Sequence, residues 1–302
     1  MRIVLTGGTG LLGKALAQAS VAAGDAVIVL SRTARPPQDG VAFVEWTAGP
    51  DIEGWSHVVD GADAVVNLAG ASIAGARWTN KRKVALWDSR LQATRGLAAA
   101  VQRAAAPPPV VVSASAVGYY GSRGDERLTE ESAPGSDFLA RLCMAWERAA
   151  QTMATERTAV ACVRSGLVLS RDGGALPRIA LPFKFGAGGP LGPGTQYMPW
   201  IHIDDWVAMV RRVIASRAGG AWNLTGPEPV TNADFSTSLA SVLGRPSLLP
   251  APAFALRLAV GEMADALLLA SQRAVPARAL ADGFAFRYAT VSEAFGAVYR
   301  SP

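Results

Sequence analysis

Residues 3–13 read Ile-Val-Leu-Thr-Gly-Gly-Thr-Gly-Leu-Leu-Gly, and this stretch decides the fold. Its β-branched and leucine opening predicts a strand, and the apolar spacing that follows predicts a helix. Glycines at positions 7, 10 and 13 let the chain turn tightly, let its backbone approach a pyrophosphate and let the helix pack close to the sheet. The start of that helix turns its N–H groups and positive dipole end toward the phosphates. The stretch predicts a dinucleotide-binding turn, with an ordinary glycine turn as the alternative.

The second strand indicates which dinucleotide binds. The apolar run at residues 26–30 suits a parallel sheet covered on both faces, and it ends in Ser31-Arg32. An acidic residue at this point would bind the ribose 2′-hydroxyl of NAD, whereas arginine accommodates a 2′-phosphate. Arg32 and Arg35 supply positive charge there. The sequence therefore predicts NADP(H) as the cofactor, with a solvated loop role for Arg32 as the alternative.

The composition bounds the class of protein. The 302 residues are 50% hydrophobic and 18% charged, which is typical of a well-cored globular protein. The amino terminus lacks a signal-peptide pattern and no apolar run is long enough to span a bilayer, so we expect no membrane association. Two cysteines, Cys143 and Cys162, predict buried thiols and a cytoplasmic location. The net charge of +5 is spread along the chain, which favours a small, anionic substrate over nucleic acid.

The order of elements predicts an α/β fold of the Rossmann type, a doubly wound parallel sheet with a smaller, mostly helical C-terminal substrate domain. We expect an NADP-binding domain over 1–168, with 200–226 returning to it, and a substrate-binding region over 169–302. Predicted strands cover 2–6, 26–30, 41–46, 64–68, 109–114 and 159–164, and predicted helices cover 11–23, 80–105 and 137–155.

The second half of the chain has a different texture. Residues 173–200 are rich in glycine and proline, and we expect a long ordered loop over a site. The stretch 200–205 predicts a strand that runs into a helix capped by Asp204 or Asp205. Residues 221–224 predict a further strand, and 254–270 predicts an apolar helix. The oligomeric state, monomer or homodimer, stays open.

The predicted fourth strand ends in Asn67-Leu68-Ala69-Gly70. Because open α/β sheets bind ligands at the carboxyl ends of their strands, small residues here would let a cofactor pass closely. Asn67 could instead cap a local turn, and the sequence does not separate the two roles.

Four stretches together resemble the extended short-chain dehydrogenase/reductase family: 6–13, 67–70, 113–121 and 200–205. Shorter matches, among them Arg77-Trp78-Thr79, Trp146-Glu147 and Arg164-Ser165-Gly166, resemble its atypical, sugar-nucleotide-epimerase-like branch. The resemblance covers nearly the whole chain. It implies an NADP-binding Rossmann domain, a small C-terminal domain and a substrate that is generally unassigned.

The resemblance also exposes a departure in the catalytic pair. The larger family uses a Tyr-x-x-x-Lys helix, in which the tyrosine transfers a proton and the lysine lowers its pKa and holds the nicotinamide ribose. Matching Glu147 to the acidic residue that usually follows places these positions on Leu139 and Cys143, which supply neither function. The asparagine of the family's catalytic set falls near Arg90. Ordinary alcohol–ketone chemistry by that pair is therefore not expected.

Other hydroxyl groups could act instead. Ser115 matches the family's catalytic serine, with Ser113 as a second candidate, and its hydroxyl could bind a substrate oxygen. A local role at the strand end is the alternative. Tyr119 or Tyr120 could replace the missing acid if a nearby cation lowers the phenol pKa toward neutrality. Packing of both rings against a neighbouring loop is the alternative.

Cationic side chains could bind the cofactor phosphate or an anionic substrate. Lys81, Arg82, Lys83 and Arg90 lie on the helix that begins near Thr79, where a solvated helix face is the alternative. Lys184 and Gln196, in the long loop, are further substrate candidates. His202 beside two aspartates reads as a buried, hydrogen-bonded histidine, and no metal site is expected.

These observations predict an NADP(H)-dependent oxidoreductase or epimerase-like enzyme. The alternative is a non-catalytic NADP(H)-binding protein that senses redox state or docks to a partner. The predicted cofactor-binding residues are Thr6, Gly7, Gly8, Thr9, Gly10, Leu11, Leu12, Gly13, Ser31, Arg32, Asn67, Leu68, Ala69, Gly70, Arg90, Ser113 and Gly166.

Overall fold

A computed structural model describes residues 1–300 of the chain. Its first part alternates strands and helices: β1 Arg2–Thr6, α1 Leu11–Ala22, β2 Ala26–Ser31, β3 Val41–Glu45, β4 Ala64–Asn67, α2 Asn80–Arg103, β5 Val110–Ala116, β6 Arg127–Leu128, α3 Phe138–Gln151 and β7 Ala159–Ser165. These bounds agree with the sequence predictions to within a few residues. Helix α2 ends before Pro107-Pro108-Pro109, because proline lacks the N–H that a helix interior needs.

The second part contains β8 Leu167–Leu169, α4 Leu176–Lys184, β9 Tyr197–Met198, β10 Trp200–His202, α5 Ile203–Ser216, β11 Gly220–Leu224, β12 Val230–Thr231, α6 Asn232–Leu243, α7 Ala253–Val260, β13 Arg273–Ala274, α8 Ala277–Ala281 and α9 Val291–Arg300. A short π-helical turn covers Ala264–Leu268. None of the helices within residues 1–300 is long and apolar enough to cross a membrane.

Seven parallel strands form the central sheet in the order β11-β7-β5-β4-β1-β2-β3. The order reverses between β1 and β4, as in a doubly wound sheet, so the predicted fold class is confirmed. Strand β11 joins the sheet beside β7, with Gly220 opposite Ala161. Residues from the second half of the chain thus complete the sheet of the first.

Two apolar layers cover the sheet. One packs α1 and α5 on one face through residues such as Leu16, Trp206 and Val210, and the other packs α2 and α3 on the opposite face through residues such as Leu97 and Ala150. Parallel strands buried on both faces need this double cover, which accounts for their continuous Val, Ile and Leu runs.

A separate apolar cluster supports the C-terminal region. Leu176, Ala180 and Phe183 of α4 pack with Phe235 of α6 and Phe295 of α9. The prediction of a loop over 173–200 is therefore wrong for α4. Prolines at 177 and 182 gave that stretch its loop-like texture, but a proline in the first turn of a helix costs no hydrogen bond, and burial of one face stabilises the rest.

Two other local predictions also need correction. The apolar stretch 254–270 is interrupted at Gly261, which has a φ of +65° and ends α7. The cap of α5 is His202, whose Nδ1 accepts a hydrogen bond from the N–H of Asp204 at 3.1 Å. Asp205 instead accepts bonds from the backbone N–H groups of Arg287 and Tyr288 at 2.8 and 3.1 Å. The prediction of a buried, hydrogen-bonded His202 is confirmed.

Candidate functional site

Close backbone contacts shape the glycine turn after β1. Gly7 has a φ of +67°, and a Cβ there would lie 2.6 Å from the carbonyl oxygen of Leu68. A Cβ on Gly13 would lie 2.5 Å from the Cα of Gly8. A Cβ on Gly10 would meet nothing closer than the Gly7 carbonyl oxygen at 3.4 Å. Gly7 and Gly13 therefore fix the turn, and the outer side of Gly10 stays open.

The start of α1 suits an anionic group. Gly10 occupies the N-cap position without a side-chain cap, and the first turn contains no acidic residue. The unpaired N–H groups and the positive end of the helix dipole thus face outward beside the exposed Thr9 and Gly10. This turn fits the pyrophosphate of a dinucleotide.

A buried polar network supports the turn from behind. Thr6 Oγ1 donates to Asn67 Oδ1 at 2.8 Å, and the Asn67 amide donates to Thr94 Oγ1 at 2.9 Å. The indole N–H of Trp146 donates to the same Thr94 oxygen at 3.0 Å. The side chains of Thr6, Asn67 and Ser113 are fully buried. Their hydrogen bonds hold the turn that a cofactor would meet, and the cofactor-binding role of these three residues stays a prediction.

The end of β2 places Ser31 and Arg32 differently. Ser31 is buried, and its Oγ accepts the N–H of Thr33 at 3.4 Å. Arg32 and Arg35 are exposed on the loop that follows. The guanidinium groups are thus free to meet a phosphate, which is the arrangement that the sequence predicted for a 2′-phosphate.

Ser115, near the carboxyl end of β5, lies beside a buried ion pair. Its Oγ donates to Glu147 Oε1 at 2.6 Å. Arg164, which is opposite Ser115 on β7, donates from Nε and Nη2 to the two carboxylate oxygens of Glu147 at 2.8 Å each. Burial opposes the charge of Arg164, but the bonds and the attraction to Glu147 outweigh it and raise the pKa of Arg164. Arg164 therefore stays charged, and its two bonds to Glu147 hold the carboxylate that fixes the Ser115 hydroxyl.

The two tyrosines after β5 have structural surroundings. Tyr120 is fully buried; its hydroxyl donates to Asn223 Oδ1 at 2.7 Å and accepts from Arg164 Nη1 at 3.0 Å. Burial raises the pKa of Tyr120 to about 12, although Arg164 works in the opposite direction. Tyr120 could act as the acid only if its pKa were lowered toward neutrality, and its surroundings do not meet that condition. Tyr119 is half-buried, with the Arg164 guanidinium 3.4 Å from its ring centroid.

One face of α3 carries Glu147 and the two residues that the resemblance aligns with the family's catalytic pair. Leu139, Cys143 and Glu147 are spaced four residues apart and so share that face. Leu139 packs in an apolar cluster with Trp78 and Met263. Burial raises the pKa of the Cys143 thiol to about 11, and Glu147 adds to the rise. Neither Leu139 nor Cys143 supplies a fixed charge or a readily released proton.

The predicted cationic residues are dispersed. Lys81 and Lys184 are exposed, and Lys83 pairs with Glu262 at 2.6 Å. Arg90 is buried, so the alternative prediction that it lies on a solvated helix face is wrong. Gln196 is also buried; its Nε2 donates to the carbonyls of Leu191 and Leu268 at 2.9 and 3.0 Å, so it holds two segments together rather than facing a substrate through that group.

Gly166 follows β7 at a tight crossing. A Cβ there would lie 2.5 Å from the Pro199 carbonyl oxygen. The glycine is thus required for the approach of the chain at Pro199, which accounts for its presence without a cofactor contact.

The glycine turn, the arginine after β2 and the serine at the end of β5 all lie along one edge of the sheet. A family model described as the NAD dependent epimerase/dehydratase family matches residues 3–225. The chain belongs to this family. A domain of unknown function, DUF1731, matches residues 251–298, which lie within the range 169–302 predicted to hold the substrate-binding region and the small C-terminal domain. The resemblance to an extended short-chain dehydrogenase/reductase is confirmed.

Relatives in the epimerase/dehydratase family extend over nearly the whole chain. Epimerase family protein Mb2239 of Mycobacterium bovis is 40% identical over 295 residues, covering 97% of this chain and 96% of its own. The structure of human epimerase family protein SDR39U1 (isoform 2) with NADPH has a TM-score of 0.90 at 32% identity and covers both chains fully. A nucleoside-diphosphate sugar epimerase from Corynebacterium glutamicum has a TM-score of 0.79 at 34% identity, covering 99% of this chain and 58% of that one.

Sequence reasoning missed the roles of Glu147 and Arg164 in the site. Glu147 served only to align the helix, although its spacing from Cys143 places it on the same helix face. Arg164 interrupts an otherwise apolar strand that is paired on both sides in the sheet, with β5 and β11. A charged residue at such a position needs a buried partner, and that need was the available signal.

Proposed function

We propose that this chain is an NADP(H)-dependent oxidoreductase with epimerase-like chemistry that acts on a small molecule at Ser115. The observation that carries the proposal is the Ser115–Glu147–Arg164 arrangement at the end of β5. Such a polar group, held in one orientation by a buried ion pair, suits a position opposite a reacting substrate oxygen. Its place on the same sheet edge as the glycine turn supports a hydride-transfer role.

The proposed cofactor lies along the carboxyl edge of the sheet. Gly7, Gly10 and Gly13 would bring the backbone close to the pyrophosphate, and the uncapped start of α1 would face its charge. Arg32 would bind the 2′-phosphate, and the presence of NADPH in the human relative's structure supports that choice. When bound, NADP(H) supplies or accepts the hydride.

The protein's own contribution begins with the single hydrogen of the Ser115 hydroxyl. Because that hydrogen is donated to Glu147, the lone pairs of Ser115 Oγ remain to accept a hydrogen bond from a substrate hydroxyl. During oxidation of an alcohol, its proton would pass to Ser115 Oγ while the serine hydrogen moves along the 2.6 Å bond to Glu147. Arg164 keeps the Glu147 carboxylate in place through both oxygens.

The substrate would lie between this edge and the region 169–302. Exposed Lys81 and Lys184 favour an anionic molecule. A nucleotide sugar has that character, and the similarity to a nucleoside-diphosphate sugar epimerase of Corynebacterium glutamicum supports this class. The two buried, unpaired cysteines support a cytoplasmic location.

One observation favours the alternative, a non-catalytic NADP(H) sensor. Leu139 and Cys143 stand where the family's proton-transfer pair is expected, and the Tyr120 phenol is buried with a pKa of about 12. In that alternative, the Ser115–Glu147–Arg164 arrangement would only stabilise the fold. The alternative is favoured if no substrate drives oxidation of bound NADPH.

The test screens carbonyl compounds and nucleotide sugars for NADPH oxidation, and alcohols for NADP⁺ reduction, with the unaltered protein and Ser115→Ala. A loss of about 100-fold in kcat is expected for Ser115→Ala, because proton transfer contributes about 10²–10⁴-fold to such reactions. NADPH affinity should stay the same. Activity that is unchanged in Ser115→Ala would refute the assignment of Ser115.

Arg32→Asp tests the cofactor separately. The variant should bind NADPH about 10- to 150-fold more weakly than the unaltered protein, since a charge-assisted bond worth about 1.5–3 kcal/mol is lost. Its affinity for NADH should not fall. Arg35→Asp provides a comparison on the same loop. Equal NADPH affinity in Arg32→Asp and the unaltered protein would refute the phosphate contact.

A further inference from the structure

The geometry points to Arg90 as the residue that binds the phosphate or ribose oxygens of the nicotinamide half of the dinucleotide. This inference rests on the proposed function, because it assumes that a dinucleotide occupies the sheet edge. It assigns to α2 a positive charge that α3 does not provide at Leu139 or Cys143. The observations that support it are the burial of Arg90, its partners and its position between the glycine turn and Ser115.

Arg90 carries a buried charge without a matching anion. Arg90 is only 8% exposed. Nη1 donates to the carbonyl of Leu86 at 3.0 Å and Nη2 to the carbonyl of Ala71 at 3.1 Å. Its guanidinium carbon lies 5.0 Å from the ring centroid of Trp146. Among residues 1–300, no carboxylate forms a hydrogen bond or ion pair with Arg90.

This arrangement is costly unless a ligand completes it. Neutral carbonyls and an aromatic face offset only part of the desolvation of a guanidinium, and burial lowers the pKa of Arg90 accordingly. Arg164 shows the contrast within the same protein, because its equally buried guanidinium has both oxygens of Glu147. An anionic or oxygen-rich ligand beside Arg90 would remove the deficit.

The position of Arg90 identifies which part of the ligand it meets. A Cβ on Gly70 would lie 3.2 Å from the Arg90 guanidinium carbon, so the side chain lies directly against the exposed turn after β4. That turn contacts the glycine turn through Leu68, whose carbonyl approaches Gly7. Arg90 thus lies one strand beyond the site expected for the pyrophosphate.

On its other side, Arg90 approaches the end of β5. Its guanidinium packs over the ring of Trp146, the residue before Glu147, and Glu147 in turn accepts the hydrogen bond of Ser115. In the sheet, β4 lies between β1 and β5, and neighbouring strands are about 4.8 Å apart. A dinucleotide that extends from the turn after β1 to Ser115 therefore passes Arg90 with the half that carries the nicotinamide.

The test measures affinities of cofactor fragments for Arg90→Gln by isothermal titration calorimetry. Glutamine removes the charge but keeps N–H donors for the two carbonyls. NADPH and 2′-phospho-ADP-ribose should bind about tenfold more weakly than to the unaltered protein. Adenosine 2′,5′-bisphosphate, which lacks the second phosphate and ribose, should bind equally well. The fourth ligand, 2′-phospho-ADP, carries the second phosphate but not the second ribose. Its affinity for Arg90→Gln should fall with those of NADPH and 2′-phospho-ADP-ribose if Arg90 binds the second phosphate. Its affinity should stay unchanged if Arg90 binds the ribose.

Arg95→Gln is the matched control, because Arg95 is exposed on the same helix. It should leave all four affinities within about twofold. If Arg90→Gln does not fold, Arg90→Lys, which keeps the charge in a different geometry, should show the same fragment pattern with a smaller loss. Unchanged affinities, or an equal loss for all four ligands, would overturn the inference. Failure of the unaltered protein to bind NADPH would instead refute the proposed function.

Discussion

Replacement of Glu147 by glutamine should destabilise the protein strongly. The variant keeps an acceptor for Ser115 Oγ but removes the negative charge from a pair in which the Arg164 side chain is 5% and the Glu147 side chain 13% exposed. Breaking a buried pair in this way costs about 3–5 kcal/mol, and the remaining amide oxygen favours the lower end. Each kcal/mol lowers Tm by about 2–4 °C in a chain of this size class, which predicts a decrease of about 6–12 °C.

The matched control for Glu147→Gln is Glu126→Gln. Glu126 also receives two hydrogen bonds from one arginine, Arg123, but its side chain is 48% exposed. Solvent screens that pair, so the control should lose less than about 1 kcal/mol. Both variants are compared by thermal and urea unfolding followed by circular dichroism. If Glu147→Gln unfolds at the same temperature as Glu126→Gln, the buried pair does not stabilise the fold as argued.

Other positions give three further predictions. Gly13→Ala should lower the free energy of unfolding in urea by about 1–3 kcal/mol and weaken NADPH binding, because its Cβ would lie 2.5 Å from the Cα of Gly8. Wild-type values for both quantities would contradict the close packing. Burial lowers the pKa of His202, so the unfolded chain takes up a proton below about pH 6.5 that the folded state resists. Stability should therefore be full above about pH 6.5 and fall toward the lower folded pKa by at most ~1.4 kcal/mol per pH unit, and His202→Asn, which retains a cap, should remove this slope. Tyr120→Phe should cost about 1–3 kcal/mol by leaving Asn223 and Arg164 underbonded while the pH profile of any activity stays unchanged; a shifted profile would restore Tyr120 as the acid.

Part of the candidate site could be predicted because it depends on neighbours in sequence. The glycine turn needs only the order strand, glycines, helix, and Arg32 needs only its place at the end of β2. Predictions that depended on side-chain surroundings fared less well. Asn67 ends β4 and Tyr120 follows β5, so the sequence placed both near the carboxyl edge of the sheet. Both are buried, and they form hydrogen bonds with residues distant in sequence, Thr94 and Asn223.

Local sequence determined the doubly wound sheet, because hydrophobic periodicity and turn chemistry act over a few residues at a time. It also determined the dinucleotide turn of residues 7–13. The tertiary structure alone decided that the Glu147 carboxylate meets Ser115 and Arg164. These three residues come from α3, β5 and β7. It likewise decided that Arg90 is buried against Gly70 and that no carboxylate of residues 1–300 pairs with it. Both outcomes depend on long-range packing, which sets the desolvation and the partners of a charge, and neither quantity is encoded within a short window of sequence.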